Sequence, residues 1–208
     1  MRRIKGIYLK DKLSSSFCNY CCLAEDENLL LETENFYVVP TIGGFVEGYL
    51  LLISKEHLGS LAEIKKSQIE EFENLKKKCK KILIKIYNGC IFYEHSRTGM
   101  SVNHAHMHAV PVNIDFLGDL SVLFGTYIKV NQWNDVVKLS ISHPHYLYYE
   151  NCIKNNKYFF PVKKIESQFF RRILAEKLHL PEGVYDWRKY PFFDNARKTV
   201  KKIKELKI

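Results

Sequence analysis

One stretch constrains this chain more than any other. Val102-Asn103-His104-Ala105-His106-Met107-His108-Ala109-Val110-Pro111-Val112 alternates with a period of two. That period predicts a strand with Val102, His104, His106, His108, Val110 and Val112 on one face. Neighbouring same-face side chains on a strand lie about 6.6 Å apart, so a tetrahedral phosphate can meet two imidazoles at once. A strand buried for packing alone would carry Val or Ile here, because a buried imidazole needs hydrogen-bond partners. A metal cluster or a satisfied polar face would account for a single histidine; three in register point to a site.

Imidazole suits phosphoryl or nucleotidyl transfer. The neutral ring is nucleophilic near physiological pH, and its phosphoramidate passes the group on to water. Neighbouring histidines can donate to non-bridging oxygens or protonate a leaving group. The chain carries no phosphate-binding P-loop, which removes support for a GTPase-like or kinase-like mechanism.

Around this stretch the pattern predicts short strands at Phe36–Pro40, Gly48–Ile53, Cys90–His95, Tyr146–Cys152 and Tyr158–Val162. Thr41-Ile42-Gly43-Gly44-Phe45 reads as a loop and Asn155-Asn156 as a turn. From Ser67, apolar residues at Ile69, Phe72, Leu75, Cys79, Ile82, Leu83 and Ile86 make one helical stripe, with lysines expected opposite and Asn88-Gly89 closing the helix. Ser60–Glu63 and Ser67–Glu70 both fit a capping box. Further helices are expected near Ser167–Leu178 and Asp194–Leu206, and residues 1–16 as irregular.

With 208 residues, 46% of them hydrophobic, the chain fits one large domain or a compact domain with an extension. No 18-residue apolar run is present, and the basic Met1-Arg2-Arg3-Ile4-Lys5 lacks a following apolar stretch. No membrane partner is expected, and a cytoplasmic location is. Six cysteines, three of them at 18, 21 and 22, suit metal or reduced thiols better than a disulfide framework. The net charge of +9 suits anionic partners: small phosphorylated molecules, a nucleic acid, or simply water over Lys-rich helices.

His104-Ala105-His106-Met107-His108-Ala109-Val110 resembles the signature of the histidine triad family, and Gly99-Met100-Ser101-Val102 resembles the run that commonly precedes it. Cys18-Asn19-Tyr20-Cys21 followed by Glu32–Val39 is similar to the family's opening. Gly48–His57 is similar to its strand ending in proline-lysine-x-histidine, with Ser54 in place of the proline. The resemblance covers about residues 17 to 112. It implies an α+β fold, an antiparallel sheet of about five strands with a long helix packed on it. Residues 1–115 would form the catalytic core and 116–208 an extension of a hairpin and two helices. It also implies that His106 attacks the α-phosphate of a nucleotide, that His108 holds the phosphate or assists the leaving group, and that Ser101 contacts a phosphate oxygen. Met100 stands where glutamine is common, which bears on the substrate subclass. His95, on the strand before the triad, either reaches substrate or forms a surface pair with Glu94. Phe36 and Ile42 are expected to line the base pocket, and a homodimer is common in the family.

Cys18 and Cys21 have ligand spacing, but a lone pair of this kind is a weak signal, and Cys22 can replace Cys21. Branches of the family with this opening bind zinc, which gives Cys18, Cys21, His57 and His104 as the implied ligand set; a reduced cluster without metal is the alternative. His143-Pro144-His145 reads as a turn and strand edge. Ser167–Ala175 and Asp186-Trp187-Arg188 loosely resemble C-terminal segments of longer, splicing-associated relatives. Arg171, Arg172 and Arg188 either bind phosphate or, on the safer account, face solvent from a helix docked on the core. Three functional classes follow: a nucleotide hydrolase or nucleotidyl transferase, an RNA- or DNA-binding processing factor with little turnover, and a zinc-stabilised interaction module.

Overall fold

The computed structural model describes residues 18–206 apart from residue 25. The irregular run expected at residues 1–16, and the side chain of Cys22, lie outside the described residues. Eight strands form a single antiparallel sheet: β1 (Leu31–Glu32), β2 (Phe36–Pro40), β3 (Leu50–Ser54), β4 (Ile91–Glu94), β5 (His106–Val110), β6 (Ile128–Val130), β7 (Tyr146–Asn151) and β8 (Asn156–Pro161). Their order across the sheet is β1-β2-β3-β5-β4-β7-β8-β6. The expected fold class is therefore right, but the sheet is larger than about five strands. β7 pairs with β4 from Ile91↔Asn151 to Glu94↔Tyr148, so residues after 116 continue the same sheet.

Helix α1 (Ile69–Tyr87) packs on one face with α3 (Trp133–Ser142). Phe72, Leu75, Cys79, Ile82 and Leu83 meet Phe36, Leu52, Phe92, Met107 and Tyr148 there. Asn88 closes α1 in the left-handed conformation at φ 55, its N–H donating to Ile84 O. The start of α1 differs from the expected capping box, since Ser67 lies inside a 3-10 turn, Lys66–Gln68, that leads into it. The Ser60 hydroxyl instead caps a 3-10 turn, Leu61–Glu63, by accepting from Ala62 N–H.

Not every lysine of α1 faces water. Lys76 is buried, its Nζ 2.8 Å from Glu150 and 3.0 Å from the Tyr148 hydroxyl. It sits one turn from both Phe72 and Cys79, at the edge of the apolar stripe, and Glu150 supplies the countercharge that burial demands.

The other face carries the histidines. Tyr49, Ile91, Tyr93, Val110, Leu147, Tyr149 and Phe160 project there, beneath α2 (Leu117–Phe124) and α4 (Phe169–Lys177) with Phe116, Leu120, Phe170 and Leu174. Helix α5 (Phe193–Glu205) ends the described chain, Thr199 accepting from Gly48 N–H at 2.7 Å. Among the described residues no helix is long and apolar enough to cross a membrane.

Candidate active site

The predicted strand is shorter than its alternation. β5 begins at His106, so His104 precedes it rather than sharing its ladder. The cause is local: β3 ends at Ser54, and the chain from Lys55 to His57 turns out of the sheet. Ala105 N–H then bonds Leu58 O at 2.7 Å. Val102 and Asn103 lie in the bend before it.

His104 turns into the cluster the cysteines begin. Its Nδ1 lies 3.3 Å from Cys18 Sγ and 3.6 Å from Cys21 Sγ, while Cys21 Sγ is 3.3 Å from His57 Nδ1. The four donor atoms of Cys18, Cys21, His57 and His104 lie within 4.8 Å of one another. Tetrahedral zinc with its usual bond lengths sets a nitrogen-to-sulfur edge of about 3.5 Å, which these separations fit. His104 Nε2 donates to Ser54 O at 2.7 Å, leaving Nδ1 as the ligating nitrogen.

His106 donates from Nδ1 to the carbonyl of His104 at 2.6 Å. Its Nε2 therefore carries the free lone pair. Burial is the main reason its proton affinity falls, to a pKa of about 4, against the opposing pull of the His104 carbonyl. His108 packs beside it, ring centroids 4.9 Å apart. Tyr93 stacks on the His108 ring at 4.3 Å and Phe170 stacks on the far side of Tyr93 at 4.0 Å. The Tyr49 hydroxyl is 3.0 Å from His108 Nδ1 and also bonds the Tyr93 hydroxyl. His108 is held well below the ordinary imidazole range by burial first, then by His106, His95 and Arg171.

His95 is buried, not a surface partner of Glu94. Its ring lies 6.1 Å from His108 and its Nε2 has no hydrogen-bond partner. Burial, with His106 adding to it, lowers its pKa to about 3. Glu94 projects to the opposite face, where its carboxylate accepts from Leu61 N–H and Ser60.

Ser101 lies at the C-terminal segment: Trp187 Nε1 donates to its hydroxyl at 3.0 Å and Arg188 to its carbonyl at 3.0 Å. Met100 is half-buried on the same loop. Phe36 is not brought to the site. It projects from β2 to the α1 face, 5.4 Å from the Phe72 ring, because its phase on the strand is opposite to that of Tyr37 and Val39. Ile42 stays half-buried in its loop, its carbonyl accepting from Phe192 N–H.

Two of the three arginines depart from the solvent placement. Arg171 is only 4% exposed, donating to Gly43 O at 2.6 Å and Tyr185 O at 2.8 Å. Arg172 is half-buried and pairs with Glu166 at 2.8 Å, whereas Arg188 is exposed. His143 and His145 are exposed, His143 at the end of α3 and His145 against Lys163 O. Sequence reasoning missed Tyr49, Tyr93 and Tyr20. Tyr93 is paired with His108 across β4 and β5, and Tyr49 stands just before β3 in phase with Leu51, the partner of His108 there, a signal visible once register is known; Tyr20 meets the His106 ring edge-on at 5.5 Å.

Three histidines on one strand and its approach, the first turned to a cysteine pair and the other two buried side by side, define a histidine-triad site. The profile of the family described as "Scavenger mRNA decapping enzyme C-term binding" matches residues 14–121. The chain belongs to that family, which is of the histidine-triad type. Comparison with curated proteins finds no match. Among solved structures the chain is similar to a Hit-like protein involved in cell-cycle regulation from Bartonella henselae, at 18% identity and TM-score 0.36, over 40% of this chain and 65% of that one. It is also similar to a zinc-bound histidine triad family protein from Mycobacterium smegmatis, at 22% identity and TM-score 0.39, over 45% of this chain and 73% of that one. A HIT family hydrolase from Clostridium thermocellum gives 20% identity and TM-score 0.38, over 47% of this chain and 91% of that one.

Proposed function

We propose that the chain is a nucleotide hydrolase or nucleotidyl transferase that attacks the α-phosphate of a nucleotide conjugate through His106. The observation that carries this reading is the bond from His106 Nδ1 to the His104 carbonyl, which fixes the tautomer and leaves Nε2 as the nucleophile. In the first step the Nε2 lone pair forms a nitrogen–phosphorus bond, and the bond from phosphorus to the leaving group breaks. The leaving group departs with that electron pair and takes a proton from water. Water then attacks the same phosphorus, the electron pair of the nitrogen–phosphorus bond returns to Nε2, and the water's proton passes to solvent.

With Nδ1 engaged by Tyr49, the Nε2 of His108 is the nitrogen open to a phosphate oxygen. The unpartnered Nε2 of buried His95 supports a third imidazole contact to substrate. Ser101 is read as a phosphate contact and Met100 as lining the leaving-group side. The family's decapping description supports a phosphoanhydride-containing substrate, such as a dinucleoside polyphosphate; a phosphoramidate is the alternative conjugate.

Cys18, Cys21, His57 and His104 would hold a structural zinc, which would cross-link the N-terminal segment to the start of β5. A second reading, a polynucleotide-binding processing factor, is favoured by the exposed Arg197, Lys198, Lys201, Lys202 and Lys204 on α5. Its mark would be strongly salt-dependent RNA binding that survives loss of His106.

The deciding experiment mixes the protein with an adenosine phosphoramidate or a diadenosine polyphosphate, quenches in mild base and weighs the intact chain beside His106→Ala. A nucleotide-sized mass increase on the wild type alone is expected. Adducts on both proteins, or on neither, would overturn the covalent mechanism.

A further inference from the structure

Arg171 poses a physical problem that the fold does not solve by itself. Arg171 is buried on the histidine face, and among the described residues no carboxylate lies within 4.0 Å of its guanidinium. A buried cation is costly unless an anion faces it. Here the charge meets only dipoles and rings: the Gly43 and Tyr185 carbonyls, with Phe45 at 5.1 Å and Tyr49 at 5.8 Å from the guanidinium carbon. Tyr49 in turn holds His108, so one side chain separates the guanidinium from the triad. Burial raises the proton affinity of Tyr20, Tyr49 and Tyr93, with the Arg171 charge opposing the rise, and burial lowers that of His108, with the Arg171 charge adding to the fall.

The placement is constrained from both sides. A Cβ at Gly43 would collide with the Trp187 side chain and crowd Arg171, so glycine is what lets the loop after β2 close on the C-terminal segment. Trp187 then reaches Ser101 and Arg171 reaches Gly43, joining the segment to both walls of the site.

We propose that Arg171, supplied by α4, is a substrate-binding residue whose guanidinium pairs with a phosphate group of the nucleotide held at His106 and His108. This rests on the nucleotide reading above, but not on turnover. A planar, permanently charged fork suits a phosphate, and the dry surroundings strengthen the pairing. The C-terminal segment thereby becomes part of the ligand site and sets its preference for phosphorylated over uncharged nucleosides.

Equilibrium binding separates this from a purely structural strap. Adenosine and guanosine 5′-monophosphates would be titrated against adenosine and guanosine, on the wild type, Arg171→Gln and Arg171→Lys. The wild type should favour the monophosphate by about tenfold or more, the scale of one charge-assisted hydrogen bond. Arg171→Gln should lose most of that preference while binding the nucleosides as before, and Arg171→Lys should keep part of it. Equal loss for nucleoside and monophosphate would overturn the proposal, as would an unchanged preference in Arg171→Gln. Should Arg171→Gln melt early, the Arg171→Lys ratio decides: retained preference supports phosphate pairing, and loss of both ligands together overturns it. A wild type that binds monophosphates but forms no adduct with the phosphoramidate or the diadenosine polyphosphate would sink the covalent mechanism and leave this assignment standing.

Discussion

The Tyr49 hydroxyl and His108 Nδ1 lie 3.0 Å apart, joined across 59 residues by the pairing of β3 with β5. One hydroxyl thus orients one of the two histidines that face each other in the site. Tyr49→Phe removes that contact and leaves the Tyr93 hydroxyl without its partner. Activity on a nucleotide conjugate should fall about tenfold, the kinetic equivalent of one hydrogen bond of roughly 1–1.5 kcal/mol. Steady-state kinetics check this; unchanged kcat would remove Tyr49 from the positioning of His108.

Zinc content tests the cysteine–histidine cluster without reference to activity. Elemental analysis of purified protein should give about one zinc per chain, the stoichiometry of a four-ligand site. Cys21→Ser should lower it sharply and lower the melting temperature, because binding energy at such a site is folding energy. Metal-free protein with an unchanged melting curve would rule the cluster out as a zinc site.

Glu94 predicts a pH signature of stability. Burial raises its pKa to about 7 from 4.5, despite opposing bonds from Tyr146, Leu61 and Ser60. The folded chain therefore holds this proton more tightly than the unfolded chain. Its contribution is complete below about pH 4.5 and is lost as pH rises through about 7. Glu94→Gln cannot ionise, so its melting temperature should gain on the wild type between about pH 5 and 8, by up to about 3 kcal/mol of stability. A gap that stays constant across that range would contradict the assignment.

Lys76 and Glu150 form a buried pair whose halves depend on each other. Glu150 holds Lys76 above its usual range against the cost of burial, and Lys76 holds Glu150 below its own. Lys76→Met alone should cost about 3–5 kcal/mol by stranding Glu150. Adding Glu150→Gln should recover much of that loss, read from denaturant melts of both variants. A double variant no more stable than the single would mean that packing, not charge, is what Lys76 supplies.

Much of this was legible in the sequence because it is written in period and punctuation. The alternation around His106, the stripe from Ile69 to Ile86 and the turn at Asn155 each announce their element locally. Helix α3 was not legible: Trp133-Asn134-Asp135-Val136-Val137 has poor helix propensity, and tertiary bonds hold its start, Trp133 N–H to Glu73 and the Trp133 indole to Leu61 O. The late start of the triad strand escaped for a similar reason, since nothing in the alternation records that β3 has already turned away. Arg171 was expected in water because a helix sequence does not show what folds over it; Gly43 and Tyr185, 128 and 14 residues away, decide its burial.

The union of β4 with β7 has a practical meaning for anyone who would shorten this chain. Ile91, Phe92, Tyr93 and Glu94 are all buried, and one row of their backbone bonds is met only by residues 148–151. A fragment stopping near residue 115 would keep all three triad histidines, yet present a bare apolar edge along β4, ready to recruit any strand it met. Such a piece would be expected to clump rather than work, so the smallest useful version of this protein extends at least through the hairpin that seals that border.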